Sequence, residues 1–353
     1  MSENETKLSG KVFLNRVLAG TATGIVVGLI PNAILGELFK FLGTKMDIFI
    51  SLLHVVQGFQ YSVPIIVGVL IAMQFKLNPM QTIIVGAAAL VGSGAYVINE
   101  GAFMLVGIGD LINTMLTASL AVILVMAIGT KLGSMTILLL PILAGAGAGA
   151  VGSFTLPYVK MITSTIGSLI NSFTELQPIL MSILIAISFS IIIISPISTV
   201  AIATAIGLSG LASGAANIGI CAAAASLVVG SMKVNSIGVT SSVGLGAMKM
   251  MMPNLIKHPI IMLPLAISAT ISGIFAAVFN IQGTPFSAGF GFSGLVGPIN
   301  AIKFMEGSAI ANFGVAVLVF FVIPFASAFL VDFILCKVLK VYDKEIFKFF
   351  TAK

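Results

Sequence analysis

Residues Ile281–Asn300 read IQGTPFSAGFGFSGLVGPIN, and seven of them are glycine or proline. Neither a regular helix nor a regular strand tolerates that density of breakers. Yet the residues between them, Phe286, Ala288, Phe290, Phe292, Leu295 and Val296, are apolar. The surroundings explain the combination. Of 353 residues, 58% are hydrophobic and only 8% are Asp, Glu, Lys or Arg, and the mean hydropathy is +1.18. A soluble domain carries about 25% charged residues, so this chain lacks the polar surface to coat a water-soluble globule. Soluble enzymes, secreted domains and disordered proteins are excluded, leaving an all-α integral membrane protein. Irregular backbone at membrane depth survives only where protein buries it or water reaches it. Residues 281–300 are therefore expected to form a re-entrant hairpin.

Outward from this stretch, apolar runs of about 20 residues mark membrane spans. They are Val17–Phe39, Asp47–Phe75, Met80–Ile98, Ala102–Thr130 after a break at Asn99-Glu100-Gly101, and the glycine-rich Ser134–Leu156. Pro157–Glu175 places Tyr158, Ile162, Ile166, Leu169 and Phe173 at three- and four-residue spacing among polar residues. That spacing predicts a helix lying along the interface. Pro178–Ser195 is a sixth span. From Pro196 to Met232 a short arm opens at Ser195-Pro196-Ile197-Ser198-Thr199, Leu208–Asn217 interrupts it, and Ile218–Met232 forms a second arm. This is the other expected hairpin, with a pair of tilted spans as its competitor. Spans at Pro259–Asn280 and Ala309–Cys336 complete a helical bundle of 8–10 transmembrane helices with two re-entrant hairpins. The expected domains are 1–177, 178–340 carrying hairpins near 196–232 and 281–300, and a basic tail at 341–353.

Basic residues set the sides by the positive-inside rule. Lys7, Lys11 and Arg16 place the N-terminus in the cytoplasm, and five lysines after Leu335 do the same for the C-terminus. The lysine-bearing loop 233–257 follows them; Lys40, Lys45 and Lys160 run against the assignment. The net +6 charge is thereby accounted for without a nucleic-acid partner. Two lone cysteines and two histidines build no metal centre, catalytic triad or cofactor site.

The informative residues are polar groups at membrane depth, each costly unless paired or wetted. Asp110 is expected inside the fourth span with Asn113 on the same face, and Glu100 near a span end. His54 and Gln57 form a polar stripe with Tyr61 near it. Interhelical hydrogen bonding is the competing explanation for such a stripe. His258 stands at the mouth of a span, beside a methionine- and glycine-rich loop that can adapt to line a site. Thr284, Ser287, Ser293 and Asn300 of one hairpin, with Ser195, Ser198 and Thr199 of the other, supply neutral hydrogen-bonding groups. Broken segments meeting near mid-membrane are where transporters hold substrate. The expected substrate-binding residues are Thr284, Pro285, Ser287, Ser198 and Thr199, with His258 and Asp110 in support, for a neutral or weakly charged polar solute.

The runs GDLINTMLTASLAVILV, SPISTVAIATAIGLSG and GTPFSAGFGFSGLVGPINAI resemble the phosphotransferase-system EIIC membrane components, in the branch of the perfringolysin O regulator (PfoR)-like proteins. The likeness covers about residues 12–340. It implies an interface domain, a transport domain with two hairpins, and a homodimer in the bacterial cytoplasmic membrane. It further implies an elevator-like movement of a sugar, with any phosphorylation depending on IIA and IIB proteins in trans. Sugar-carrying relatives hold a glutamate in the second hairpin. Here Gln282-Gly283-Thr284-Pro285 has no acidic residue, and the nearest is Glu306. Two other readings stay open: a membrane sensor controlling gene expression, and an ion-coupled transporter using Asp110 or Glu100.

Overall fold

The computed structural model describes residues 9–129 and 131–349. Helices α1 (Gly10–Gly43), α2 (Asp47–Tyr61), α3 (Val63–Gln74) and α4 (Pro79–Ser93) open the chain. Strands β1 (Tyr96–Asn99) and β2 (Ala102–Leu105) follow, then α5 (Leu111–Ile128), α6 (Thr136–Leu140) and α7 (Gly147–Phe173). Next come α8 (Pro178–Ile192), α9 (Thr199–Ala205), α10 (Gly210–Ser231), α11 (Ile237–Gly244) and α12 (Met252–Lys257). The last helices are α13 (Met262–Val278), α14 (Val296–Phe304), α15 (Ala309–Val317) and α16 (Ile323–Asp332). The all-α polytopic class is as the composition demands. Among the described residues six helical stretches are long and apolar enough to cross a bilayer, or seven counting the interrupted pair α2 and α3. The shorter apolar helices α4 and α8 stand beside them. The chain groups into two compact units, residues 9–28 with 59–159, and residues 29–58 with 160–349. Lys7 and residues 350–353 lie outside the described residues.

In the first unit, close helix approach is bought by small residues. A Cβ on Gly20 would stand 2.5 Å from the Ile71 Cα, and one on Gly24 2.6 Å from the Val67 Cα. Helices α1 and α3 therefore meet backbone to backbone, where dispersion substitutes for a hydrophobic drive that lipid does not supply. Asn113 joins three helices: its amide donates to the carbonyls of Gly92 (2.5 Å) and Gly152 (2.7 Å), and its Oδ1 accepts from Thr155 (2.8 Å).

Three local expectations are corrected here. The break at Asn99-Glu100-Gly101 is the tip of an antiparallel β-hairpin pairing Tyr96 with Leu105 and Asn99 with Ala102. Glu100 (φ 49°) and Gly101 (φ 82°) take the two positive-φ positions of a tight turn whose twist suits paired strands. The third and fourth spans are shortened accordingly, to α4 and α5. Asp110 does not lie inside a span but N-caps α5, accepting from the Asn113 backbone N–H at 2.8 Å. Finally, no separate interfacial helix starts at Pro157. The chain is helical from Gly133 to Phe173, because a proline removes one helical hydrogen bond without obliging the rest to break.

The second unit packs α8, α13 and α16 around α10. The α10 sequence, GLASGAANIGICAAAASLVVGS, is small-residue rich, and 94% of its apolar window is buried. The expected interruption Leu208–Asn217 contracts to residues 206–209, with the helix resuming at Gly210. Glycine and serine act as breakers in isolation. Here close packing asks for glycine itself: a Cβ on Gly214 would collide with the Ile281 carbonyl, and one on Gly219 with the backbone of Ala186 in α8. At 22 residues α10 is about 33 Å long, enough to cross a bilayer, whereas the seven residues of α9 reach about 10 Å. Residues 279–292 are irregular, and the nine-residue α14 that follows is likewise too short to cross. The C-terminal segment is docked rather than loose. Phe347 is fully buried and Lys344 pairs with Asp332 at 2.8 Å. Asn254 donates to the carbonyls of Ile346 and Lys348, both at 2.8 Å.

Candidate functional site

The two interrupted stretches meet inside the second unit. Gly210, at the start of α10, and Gly283 exchange both backbone hydrogen bonds, at 2.9 and 3.0 Å, as an isolated antiparallel bridge. Irregular backbone buried away from water must find partners for its N–H and C=O groups. Side chains complete the pairing. Ser213 donates to the Thr284 carbonyl at 2.9 Å, and Thr199 donates to the Gly289 carbonyl at 2.9 Å. The Gly291 N–H donates to Asn217 Oδ1 at 3.0 Å. Each bond ties residues 196–217 to residues 283–291, so the two stretches form one feature.

Five of the expected site residues lie in this junction. Thr284 and Ser287 close a turn on each other: the Thr284 N–H donates to Ser287 Oγ at 2.9 Å and the Ser287 N–H to Thr284 Oγ1 at 3.2 Å. Pro285 sits half-buried in that turn, and Phe286 beside it is exposed. Thr199 is buried and carries the bond to Gly289. Ser198 N-caps α9, accepting from the Ala201 N–H at 3.2 Å, and stays half-buried. His258 stands apart from these bonds, half-exposed between α12 and the turn at Pro259–Ile261, held by its main chain to Asn254 at 2.8 Å. Asp110 belongs to the first unit, where its bond to Asn113 is local. His54 and Gln57 stand on α2.

A pocket of about 250 Å³ opens at the tip of the first interrupted stretch. Asn171, Thr174, Gly207, Ser209, Leu211 and Ala212 are among the residues that line it. Its wall mixes amide, hydroxyl and backbone groups with aliphatic ones, which suits a neutral polar molecule better than an ion.

Three members of the junction escaped the sequence reading. Asn217 and Ser213 fell within a segment read as a break, so their helical alignment was not visible. Lys249 was counted only as loop charge. It is 7% exposed, and its ammonium donates to the carbonyls of Ser195 (2.5 Å) and Ile197 (2.8 Å). The signal was its setting, Gly244-Leu-Gly-Ala-Met-Lys-Met-Met-Met-Pro253, where one lysine stands alone among apolar residues. Burial lowers its pKa from 10.5 to about 7, and the residue lies between the candidate spans Gly210–Ser231 and Pro259–Val278 rather than within one.

Residues 196–217 and 281–300 hold no acidic, basic or histidine side chain. Hydroxyls, one buried amide and turned backbone can bind a solute, but they offer no general acid or base. A family model described as Phosphotransferase system, EIIC matches residues 15–349. No curated protein and no solved structure matches the chain.

Proposed function

From the premise that this chain belongs to the phosphotransferase system EIIC family, we propose that its sugar is held where the two interrupted stretches join. Membership makes it a multi-pass membrane component of a sugar phosphotransferase system, working with IIA and IIB proteins. In the proposal, Thr284, Pro285, Ser287, Ser198 and Thr199 contact the sugar, with His258 supporting from outside the junction. The segment-bearing unit carries the sugar across the bilayer by an elevator-like shift, in a homodimer with both termini cytoplasmic. IIB then supplies the phosphoryl group.

One observation supports this reading above the rest: four pairings, Gly210–Gly283, Ser213–Thr284, Thr199–Gly289 and Asn217–Gly291, join the irregular residues 279–292 of an apolar chain to the interrupted helix pair α9 and α10. Such backbone at membrane depth is tolerated where it lines a cavity, and transporters place substrate there. The family favours a permease over a sensor. The ion-coupled reading gains nothing from Asp110, which caps a helix, or from Glu100, which turns a hairpin.

The test uses proteoliposomes with phosphoenolpyruvate and the general phosphotransferase proteins, IIA and IIB included, and a panel of labelled hexoses, pentoses and hexitols. The expected outcome is a sugar phosphate inside the vesicles. The double variant T284A/S287A should raise the apparent KM about tenfold or more, as expected when hydrogen bonds to a bound hydroxyl are lost. Uptake of unmodified sugar abolished by an ionophore, or an unchanged KM in the double variant, would remove the proposal or those two residues from it.

A further inference from the structure

Lys249 is the only charged side chain among the buried residues described. Among the described residues no carboxylate lies within ion-pair distance of its amine, and its bonds go to two backbone carbonyls. Burying an amine without a counter-charge costs several kcal/mol in real proteins. A hydroxyl could satisfy either carbonyl at far lower cost. The expense falls at a particular place, the irregular turn 193–198 that leads from the end of α8 into Ser198 and Thr199. The donor arrives from the loop after α10, more than fifty positions along the chain.

We infer that Lys249 is a positioning residue: its amine grips the main chain at Ser195 and Ile197, and so fixes how the first interrupted stretch presents Ser198 and Thr199. The inference rests on the reading that this stretch holds the sugar. Lys249 touches no reacting atom and acts through the backbone it holds. The geometry suits the task in either protonation state, since even a neutral amine keeps two N–H donors, one for each carbonyl.

The surroundings make the grip proton-sensitive. The segment 248–251 packs on α10, α11 and α12. The first carries Cys221, the second no titratable group, and the third Lys257; the turn 193–198 has none. With its pKa lowered to about 7 by burial, the amine takes up a proton whenever an opening of the turn wets it and restores its ordinary value of 10.5. Opening is therefore easiest at and below pH 7, and becomes harder as pH rises from 7 toward 10.5.

The experiment is amide hydrogen exchange on the whole protein in lipid nanodiscs without sugar. It is read on peptides covering residues 195–205 and corrected for intrinsic chemical rates. In wild type, exchange there should slow between pH 7 and pH 9 by up to about tenfold per unit, the limit for one proton. Lys249→Arg, always charged, and Lys249→Met, never charged, should both flatten that profile. Lys249→Met should also exchange about tenfold faster than wild type at pH 9, with α10 unaltered, having left two carbonyls without donors. A flat wild-type profile, a profile retained in either variant, or unchanged exchange in Lys249→Met overturns the inference. Should Lys249→Met loosen the whole unit, the wild-type and Lys249→Arg profiles decide alone. No sugar is present, so this outcome is independent of the uptake experiment.

Discussion

Asn217 is one side chain on a buried helix, yet it supplies the acceptor for the N–H of Gly291, 74 residues away. Replacing it with leucine leaves that N–H buried and unpaired, which should cost about 1–3 kcal/mol. Thermal unfolding in detergent would show this as a lowered midpoint, and an unchanged midpoint would mean the Gly291 amide finds water instead. Its neighbours in the site were unequally legible. Thr199, Thr284 and Ser287 stood out because a hydroxyl in an apolar run signals a need for a partner. Asn217 and Lys249 did not, because their meaning lies in carbonyls and amides that local sequence does not bring near. Asp110 misled for a related reason: hydropathy placed it inside a span, whereas an aspartate just before an apolar helical run is equally a helix N-cap.

At the scale of the element, α10 shows what small residues do. Its glycines lower helix propensity by about 1 kcal/mol each relative to alanine, and they suggested an interruption. At Gly214 and Gly219 neighbouring backbone passes too close for any side chain. A Cβ on Gly214 would run into the carbonyl of Ile281, the residue that leads into the Gly283 bridge. Gly214→Ala should therefore raise helix propensity and still destabilise, by about 1–3 kcal/mol as overpacking does. The expected consequence is separation of Gly210 from Gly283, read as faster amide exchange at both. A stabilised variant would show that α10 can shift to admit the methyl. The β1–β2 hairpin went unseen for a different cause. Four-residue strands vanish inside a hydropathy window sized for spans, although Glu100-Gly101 at its tip is a turn signal by itself.

At the scale of the whole molecule, the charged C-terminal segment proves to be part of the second unit's packing. Phe347 is 1% exposed and lies against Gly230, while Asn235 donates to its carbonyl at 2.7 Å. The sequence reading grouped this segment with a basic tail, because it carries three lysines and its apolar residues are too few to form a span. Phe347→Ala should cost about 3–5 kcal/mol, as for other large buried aromatics. It should also free the loop that carries Lys249, since Asn235 and Asn254 of that loop hold the same segment. Limited proteolysis within residues 233–258 would report the release, and resistance equal to wild type would show the loop to be held by other contacts.

What the sequence determined by itself is the solvent and the class of solution to it. Apolar runs of span length are a local property, and so is the scarcity of charge that forbids a water-facing surface. Two stretches interrupted by glycine and proline were local signals as well, and they hold the residues that meet at the junction. Only the tertiary structure decided which breakers break: Pro157 does not, Leu208–Asn217 does so only in part, and Asn99–Gly101 turns a strand. It alone decided which side chain answers each buried backbone group, from Asn217 at the Gly291 N–H to Lys249 at two carbonyls. The reason is physical. Helix formation is settled among neighbours along the chain, whereas buried backbone left outside a helix is satisfied by whatever the fold carries to it from far along the sequence.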